Sequence, residues 1–358
     1  MYLRSDNEFV QQMKILDYIN PYNWVIALRN RAFDCGWLPS RLFDVPVVCV
    51  GNLTLGGTGK TPHIEYIITL LKDDYAVATL SRGYRRKTKG FLIARQGGDA
   101  LAVGDEPSQI KKKFPQITVA VDEKRVNGIE MLLKEEQPPQ VILLDDAFQH
   151  RYVKPGLSIV LVDYNRPVWR DNVLPFGRLR ESASGIRRAD IAVITKCPPA
   201  ISNKDKENII RRLGTGNGVQ VFFSTVCYDE LAPLFNASLQ GCKIEKGCEV
   251  LLLTGIARPE PLKKELESRG AKVTLMQYAD HHNFTTDELE EIARRFSALP
   301  AAGRLVVTTE KDAERLVGRD DLPGIIKDNI CSIPIRIRIL DNENKFNQII
   351  KDYVRENT

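Results

Sequence analysis

Short apolar runs recur along the chain with little polar alternation: residues 45–50, 75–80, 117–121, 140–144, 158–163 and 190–196. Strands buried on both faces read this way, so the runs predict a mostly parallel sheet. Segments of helical spacing lie between them. In residues 63–71, Ile64, Ile67, Ile68 and Leu71 fall on one face of a helix. The alternation restarts in the second half, with strand-like runs at 219–225, 250–254, 272–276 and 304–308 and helical segments at 260–269 and 286–299. The pattern predicts an α/β protein with helices on both faces of a large sheet over 1–225. A second, smaller α/β domain over 226–358 should follow.

Composition narrows the class without changing that picture. The chain has 358 residues, 43% hydrophobic and 27% charged, with a net charge of +5. This is a globular composition whose mild charge gives no sign of a nucleic-acid partner. Seven cysteines without regular spacing argue against a disulfide framework and for a reducing cytoplasm. No secretory leader opens the chain, and no apolar run is long enough to span a bilayer. Residues 21–38 mix Tyr22, Trp24, Val25, Leu28 and Trp37 with Arg29 and Arg31. Such a helix can lie in a membrane interface or pack on the protein's own core; the pattern alone does not choose.

The chemistry centres on residues 50–62, Val-Gly-Asn-Leu-Thr-Leu-Gly-Gly-Thr-Gly-Lys-Thr-Pro, between the first strand and a helix. That context is the one a phosphate-binding loop requires. Backbone N–H groups and the helix dipole face the anion, Lys60 reaches the β/γ-phosphates, and the Thr61 hydroxyl can hold Mg²⁺. Thr54 stands where the usual pattern has its first glycine. The run at 140–144 ends in Asp145 and Asp146, a Walker-B-like placement for a metal carboxylate. If the strand continues, only one of the two faces the metal. Residues 81–89 carry five basic side chains in nine, at a strand end where anionic groups bind. Asp105 and Glu106 either open a helix as N-terminal acids or place a general base in the site. Asp280-His281-His282 precedes Thr285 and Thr286, either of which can cap the next helix. That reading explains the threonines but not the acid and the two histidines. Thr309-Glu-Lys-Asp312 could cap a helix or take part in a site. Pro198 replaces the aspartate of a guanine-reading [NT]-K-x-D signature, which disfavours GTP.

Taken in order, eight stretches resemble the tetraacyldisaccharide 4′-kinase family of lipid A biosynthesis. They are residues 50–62, 80–84 (Leu-Ser-Arg-Gly-Tyr), 103–107 (Val-Gly-Asp-Glu-Pro) and 145–150 (Asp-Asp-Ala-Phe-Gln-His). The others are 174–181 (Leu-Pro-Phe-Gly-Arg-Leu-Arg-Glu), 254–259 (Thr-Gly-Ile-Ala-Arg-Pro), 280–284 (Asp-His-His-Asn-Phe) and 309–312. The departures are Ala147 where the family usually has glycine and Arg178 where proline is more usual; Thr54 is as the family has it.

The resemblance implies ATP-dependent transfer of the γ-phosphoryl group to the 4′-hydroxyl of a tetraacylated glucosamine disaccharide 1-phosphate, giving lipid IVA. It implies ATP on Thr54, Leu55, Gly56, Gly57, Thr58, Gly59, Lys60, Thr61 and Pro62, and Mg²⁺ on Thr61, Asp145 and Asp146. Asp105 would be the base aided by His281, with Lys60 stabilising charge, and Arg82, Tyr84, Gln149, His150, Arg180 and Glu181 would bind the acceptor. Asp105 and His281 fall in different predicted domains, so the site is expected between them, with the smaller domain closing over it. The enzyme is expected as a monomer on the cytoplasmic face of a Gram-negative inner membrane, touching it through residues 22–37.

Overall fold

A computed structural model describes residues 17, 19–95, 100–216, 218–256, 258–279, 282–300 and 303–358. It divides into two compact units: Met1–Val226 with Ile337–Thr358, and Cys227–Arg336.

In chain order, the strands of the first half are β1 (Val47–Asn52), β2 (Val77–Ser81), β3 (Leu92–Ile93) and β4 (Thr118–Val121). They continue as β5 (Val141–Asp145), β6 (Leu157–Asp163), β7 (Ile191–Thr195) and β8 (Gln220–Tyr228). Next come β9 (Ala232–Pro233), β10 (Glu249–Thr254), β11 (Lys272–Gln277), β12 (Leu305–Thr309), β13 (Ile330–Ile333) and β14 (Ile335–Ile339). The large sheet runs β14-β8-β7-β6-β1-β5-β2-β4-β3. From β4 to β8 its pairings are parallel, and short β3 joins the edge antiparallel. β1, which precedes the phosphate loop, lies between β5 and β6, so the loop emerges in the middle of the sheet.

The runs do not alternate because β1 is buried on both faces. Val48 and Val50 enter the core layer with Ile64, Ile67, Ile68 and Leu71 of the helix Lys60–Leu71. Val47 and Cys49, pointing the other way, enter a second layer with Ile129 and Leu132. Each of these side chains is 0–2% exposed, and burying each aliphatic one stabilises by roughly 1.5–3 kcal/mol.

The second unit holds a smaller sheet, β11-β10-β12-β13-β9, parallel except at β9. Its helices Glu260–Ser268 and Thr286–Ser297 follow strands as the periodicity predicted, and Glu310–Val317 follows β12.

One boundary is corrected. The second domain does not run from 226 to 358, because Ile337–Thr358 belongs to the first unit. The helix Glu343–Asn357 buries Phe346, Ile350 and Val354, spaced by four, in the first unit's core, and Phe346 meets Phe222 edge-on at 5.1 Å. Tyr353 Oη accepts from Val47 N (3.0 Å) and donates to Val47 O (3.2 Å), which fastens this helix to β1.

Candidate active site

The phosphate loop owes its shape to two glycines with left-handed backbone, Gly56 (φ 105°) and Gly59 (φ 89°). Gly59 is the N-cap of the helix Lys60–Leu71, so Lys60, Thr61 and Pro62 form its first turn. A proline there loses no helical hydrogen bond. Thr54 needs no glycine, because it sits in an antiparallel bridge with Leu179 and has no positive φ. Bonds from Arg180 N to Leu53 O and from Leu55 N to Arg178 O, both 2.7 Å, stitch the 174–181 loop along the phosphate loop.

The loop's other side is fixed by side chains. Asn52 donates to Thr58 Oγ1 (2.8 Å), and Thr195 Oγ1 donates to Thr58 O (2.9 Å). Lys196 donates to Gly57 O and pairs with Asp163 at 2.8 Å. His63 is 3% exposed, with Nδ1 2.7 Å from Gly59 O and Nε2 3.0 Å from Ser224 Oγ. A carbonyl only accepts, so Nδ1 carries the proton and Nε2 accepts from the serine hydroxyl. Burial holds this imidazole neutral, lowering its pKa to about 4.

Strand β5 ends at Asp145, and Asp146 follows with φ 50°. The alternation that would have sent one carboxylate to the far side therefore stops at the pair, and both feel the charge of Lys60. Asp145 is 3% exposed, and its Oδ1 has no hydrogen-bond partner. Burial, then the Glu106 and Asp146 carboxylates, push its pKa well above the usual carboxylate range. Burial acts on Asp146 too, but Lys60 and Arg180 outweigh it and hold its pKa low. Lys60 Nζ is 3.6 Å from Asp146 Oδ1, and Arg180 grips both oxygens at 2.8 and 3.0 Å. Gly51 makes this approach feasible: a Cβ there would lie 2.7 Å from Phe148 Cβ.

The side chains expected to meet the acceptor form two groups. Arg180 reaches Gln149 Oε1 (3.4 Å), Gln149 Nε2 donates to Glu181 Oε1 (3.0 Å), and buried Glu181 pairs with Arg188 (2.8 Å). Asn30 of the helix Pro21–Asp34 donates to Glu181, and Arg29 donates to Gln149 O (2.9 Å). The second group is cationic. His150 Nε2 accepts from Arg125 N (3.3 Å), and burial with Arg125, Arg29 and Arg82 lowers its pKa to about 4. Tyr84 stands 62% exposed on the basic turn.

Arg125 escaped the sequence reading. It is 3% exposed, its Nε lacks a partner, and it begins a helix just past β4. A cation at a helix N-terminus opposes the dipole, and that local disadvantage was the available signal. Asp105 opens the helix Asp105–Lys113 behind Gly104 (φ 97°), with Glu106 beside it close enough to act on Asp145.

In the second unit, Asp280 and His281 lie outside the described residues. His282 is bound into local structure: its ring stacks on Tyr278 (4.8 Å), and Nε2 donates to Glu288 (2.8 Å), the N3 residue of a capping box begun by Thr285. Thr309 caps the helix Glu310–Val317, accepting from Asp312 N (3.1 Å). Asp312, 1% exposed, accepts from Thr309 Oγ1 (2.7 Å), Gly255 N (2.9 Å) and Thr254 Oγ1 (3.3 Å). Its role is to tie the end of β10 to that cap.

A glycine-bent loop between a central parallel strand and a helix, a lysine in the first helical turn and a carboxylate pair at the end of the neighbouring strand define a P-loop phosphotransferase. The family model described as LpxK, tetraacyldisaccharide-1-P 4′-kinase, matches residues 16–355. The tetraacyldisaccharide 4′-kinase of Bacteroides fragilis (strain YCH46) is 48% identical over 357 residues, covering 97% of this chain and 95% of that relative. That of Phocaeicola vulgatus is 45% identical, covering 97% of each. A solved structure, the "apo" form of LpxK from Aquifex aeolicus in complex with ATP, superposes with a TM-score of 0.70 at 29% identity. It covers 96% of this chain and 99% of that one. The chain belongs to the tetraacyldisaccharide 4′-kinase family and is a kinase of lipid A biosynthesis.

Proposed function

We propose that the phosphate loop binds ATP through residues 54–62 and that Asp105 accepts the proton of the acceptor's 4′-hydroxyl. The hydroxyl oxygen bonds to the γ-phosphorus, the bond from phosphorus to the β–γ bridging oxygen breaks, ADP leaves, and the proton rests on the carboxylate. The observation that carries the reading is the ordered charge ladder Lys60–Asp146–Arg180 beside the glycine-bent loop. Lys60 neutralises the β/γ-phosphates, and Lys60 with Arg180 keeps Asp146 ionised.

The partnerless Oδ1 of Asp145, with Asp146 and the Thr61 hydroxyl, makes a hard oxygen donor set that fits Mg²⁺. Among the described residues no three His, Cys, Asp or Glu side chains form a cage, as suits an ion that shares its coordination with phosphate and water. Bound there, Mg²⁺ would supply charge neutralisation on the transferred group.

His281 is assigned to assist Asp105. Arg82, Tyr84, Gln149, His150, Arg180 and Glu181, with Arg125, are assigned to the acceptor side. The cationic group around His150 has the chemistry to hold the acceptor's 1-phosphate.

The helix Pro21–Asp34 supports a peripheral membrane role. Trp24, Val25 and Leu28 are 58%, 64% and 65% exposed, and Trp37 just beyond it is 77% exposed. Among the described residues no helix is long and apolar enough to cross a membrane. The relatives' organisms, Bacteroides and Phocaeicola among them, fit the cytoplasmic face of a Gram-negative inner membrane.

The test is transfer from γ-labelled ATP to the lipid disaccharide 1-phosphate in detergent, comparing wild type with Lys60→Ala, Asp105→Ala and His281→Ala. Losses of about 10²-fold or more in each variant are expected. Full activity of Asp105→Ala would remove the base.

A further inference from the structure

Two helices carry the two sides of the reaction assigned above. Lys60–Leu71 begins at the phosphate loop, and Asp105–Lys113 begins with the proposed base. What fixes one against the other is a carboxylate that none of the family-like stretches contains. Glu65 lies on the phosphate-loop helix, 5% exposed although fully polar at its tip. Its Oε1 accepts from Gln109 Nε2 at 3.0 Å, and its Oε2 pairs with Lys113 Nζ at 2.7 Å. The side chain of Glu65 is 6% exposed and that of Lys113 is 32% exposed.

Asp105, Gln109 and Lys113 are spaced by four, so they lie along one face of their helix. Both bonds of Glu65 therefore fall on the face that carries the base, one and two turns beyond it. A buried acid with two directional partners sets orientation, whereas apolar contacts alone allow sliding. Ile110, Ile64 and Ile68 share the same core layer, so the ion pair is set beside apolar contact and adds direction to it.

We propose that Glu65 is a positioning residue for phosphoryl transfer, setting the helix of Asp105 against the helix of Lys60. It touches neither nucleotide nor acceptor in this role. The proposal rests on Asp105 being the base. Displacing a reacting group by about 1 Å can cost on the order of 10²-fold in rate, so a loss in kcat of about 10- to 100-fold is the expected size. The phosphate loop is held from its other side by Asn52, Thr195, Lys196 and His63, so ATP binding should stay near wild type.

The experiment compares wild type, Glu65→Gln, Lys113→Met, the charge-exchanged double variant Glu65→Lys/Lys113→Glu, and Asp105→Asn. It records kcat, KM for ATP, KM for the lipid acceptor, and Tm. Expected is a 10- to 100-fold fall in kcat for the two single variants at Glu65 and Lys113, with KM for ATP within about twofold. The exchanged pair should recover most of the loss, since Gln109 can turn its amide oxygen towards a lysine. Unchanged kcat in Glu65→Gln while Asp105→Asn is inactive overturns the positioning role alone. Loss of kcat and ATP affinity together, in step with Tm, also overturns it and leaves Glu65 a support of the fold. Full activity of Asp105→Asn overturns the base on which the proposal rests, whatever Glu65→Gln does. If the exchanged pair does not fold, the isosteric Glu65→Gln against Lys113→Met still decides, because a positioning tie predicts matching kcat losses from either end.

Discussion

Acidification should loosen the phosphate loop through His63 before it reaches the fold at large. The imidazole is buried and neutral, donating from Nδ1 to Gly59 O and accepting at Nε2 from Ser224. Its pKa is about 4 in the folded protein against an ordinary value of 6.5. The unfolded chain thus binds a proton between pH 6.5 and 4 that the folded chain refuses. Stability from this group is complete above pH 6.5 and is lost as pH falls towards 4. Linkage gives a loss of about 1.4 kcal/mol at pH 5.5 and about 2.6 kcal/mol at pH 4.5. His63→Asn keeps a donor near the Nδ1 position and cannot titrate. It should cost about 1–2 kcal/mol at pH 7.5 through the lost serine bond and the smaller ring volume. The gap between wild type and variant should then close or reverse by pH 4.5. Urea unfolding of both proteins at pH 7.5, 5.5 and 4.5, followed by calorimetry, measures this, because other titrating groups cancel in the difference. Parallel pH dependences, with the same gap at all three values, would refute the reasoning.

Other perturbations follow from the same geometry. Gly51→Ala sets a methyl 2.7 Å from Phe148 Cβ, so it should cost about 1–3 kcal/mol in Tm measurements and displace the Asp145–Asp146 turn, lowering kcat. Arg180→Gln removes the two bonds that hold Asp146 ionised, so its pKa rises and the acid limb of the rate–pH profile should move to higher pH. Asp312→Ala leaves the Gly255 N–H and the Thr254 and Thr309 hydroxyls without their acceptor, a loss of about 2–4 kcal/mol read by calorimetry in the second unit. Trp24→Glu with Leu28→Glu should abolish co-sedimentation with anionic phospholipid vesicles while leaving activity on a detergent-dispersed acceptor near wild type.

Strands buried on both faces were legible, because a run such as Val47–Val50 has no polar side to hide. The phosphate loop was legible because glycine, lysine and threonine each answer a separate physical demand there. The fate of the C-terminus was not: the periodicity of Phe346, Ile350 and Val354 announces a helix but not which sheet it covers. The relation of Asp145 to Asp146 hung on whether the strand continues, and the left-handed turn at Asp146 that ends the alternation is not written in the residue types. Arg125, His63 and Glu65 stayed hidden because their partners are 25, 161 and 44–48 residues away in sequence. A motif reports what a residue type can do; it does not report the distant group it meets.

The late return of the chain to its first unit has a consequence for biosynthesis. Residues Cys227–Arg336 are an insert, and the first unit is finished only by Ile337–Thr358. On the ribosome, the β1 strand waits for Tyr353, 306 residues further along the chain, while the insert has all its own strands earlier. β8, paired with β7 on one side, likewise has its other side open until β14 emerges. A nascent chain halted before residue 337 should therefore carry a folded, protease-resistant second unit on a nucleotide-binding unit that is still open to digestion. Losing the last helix should disable the unit that begins first and is completed last.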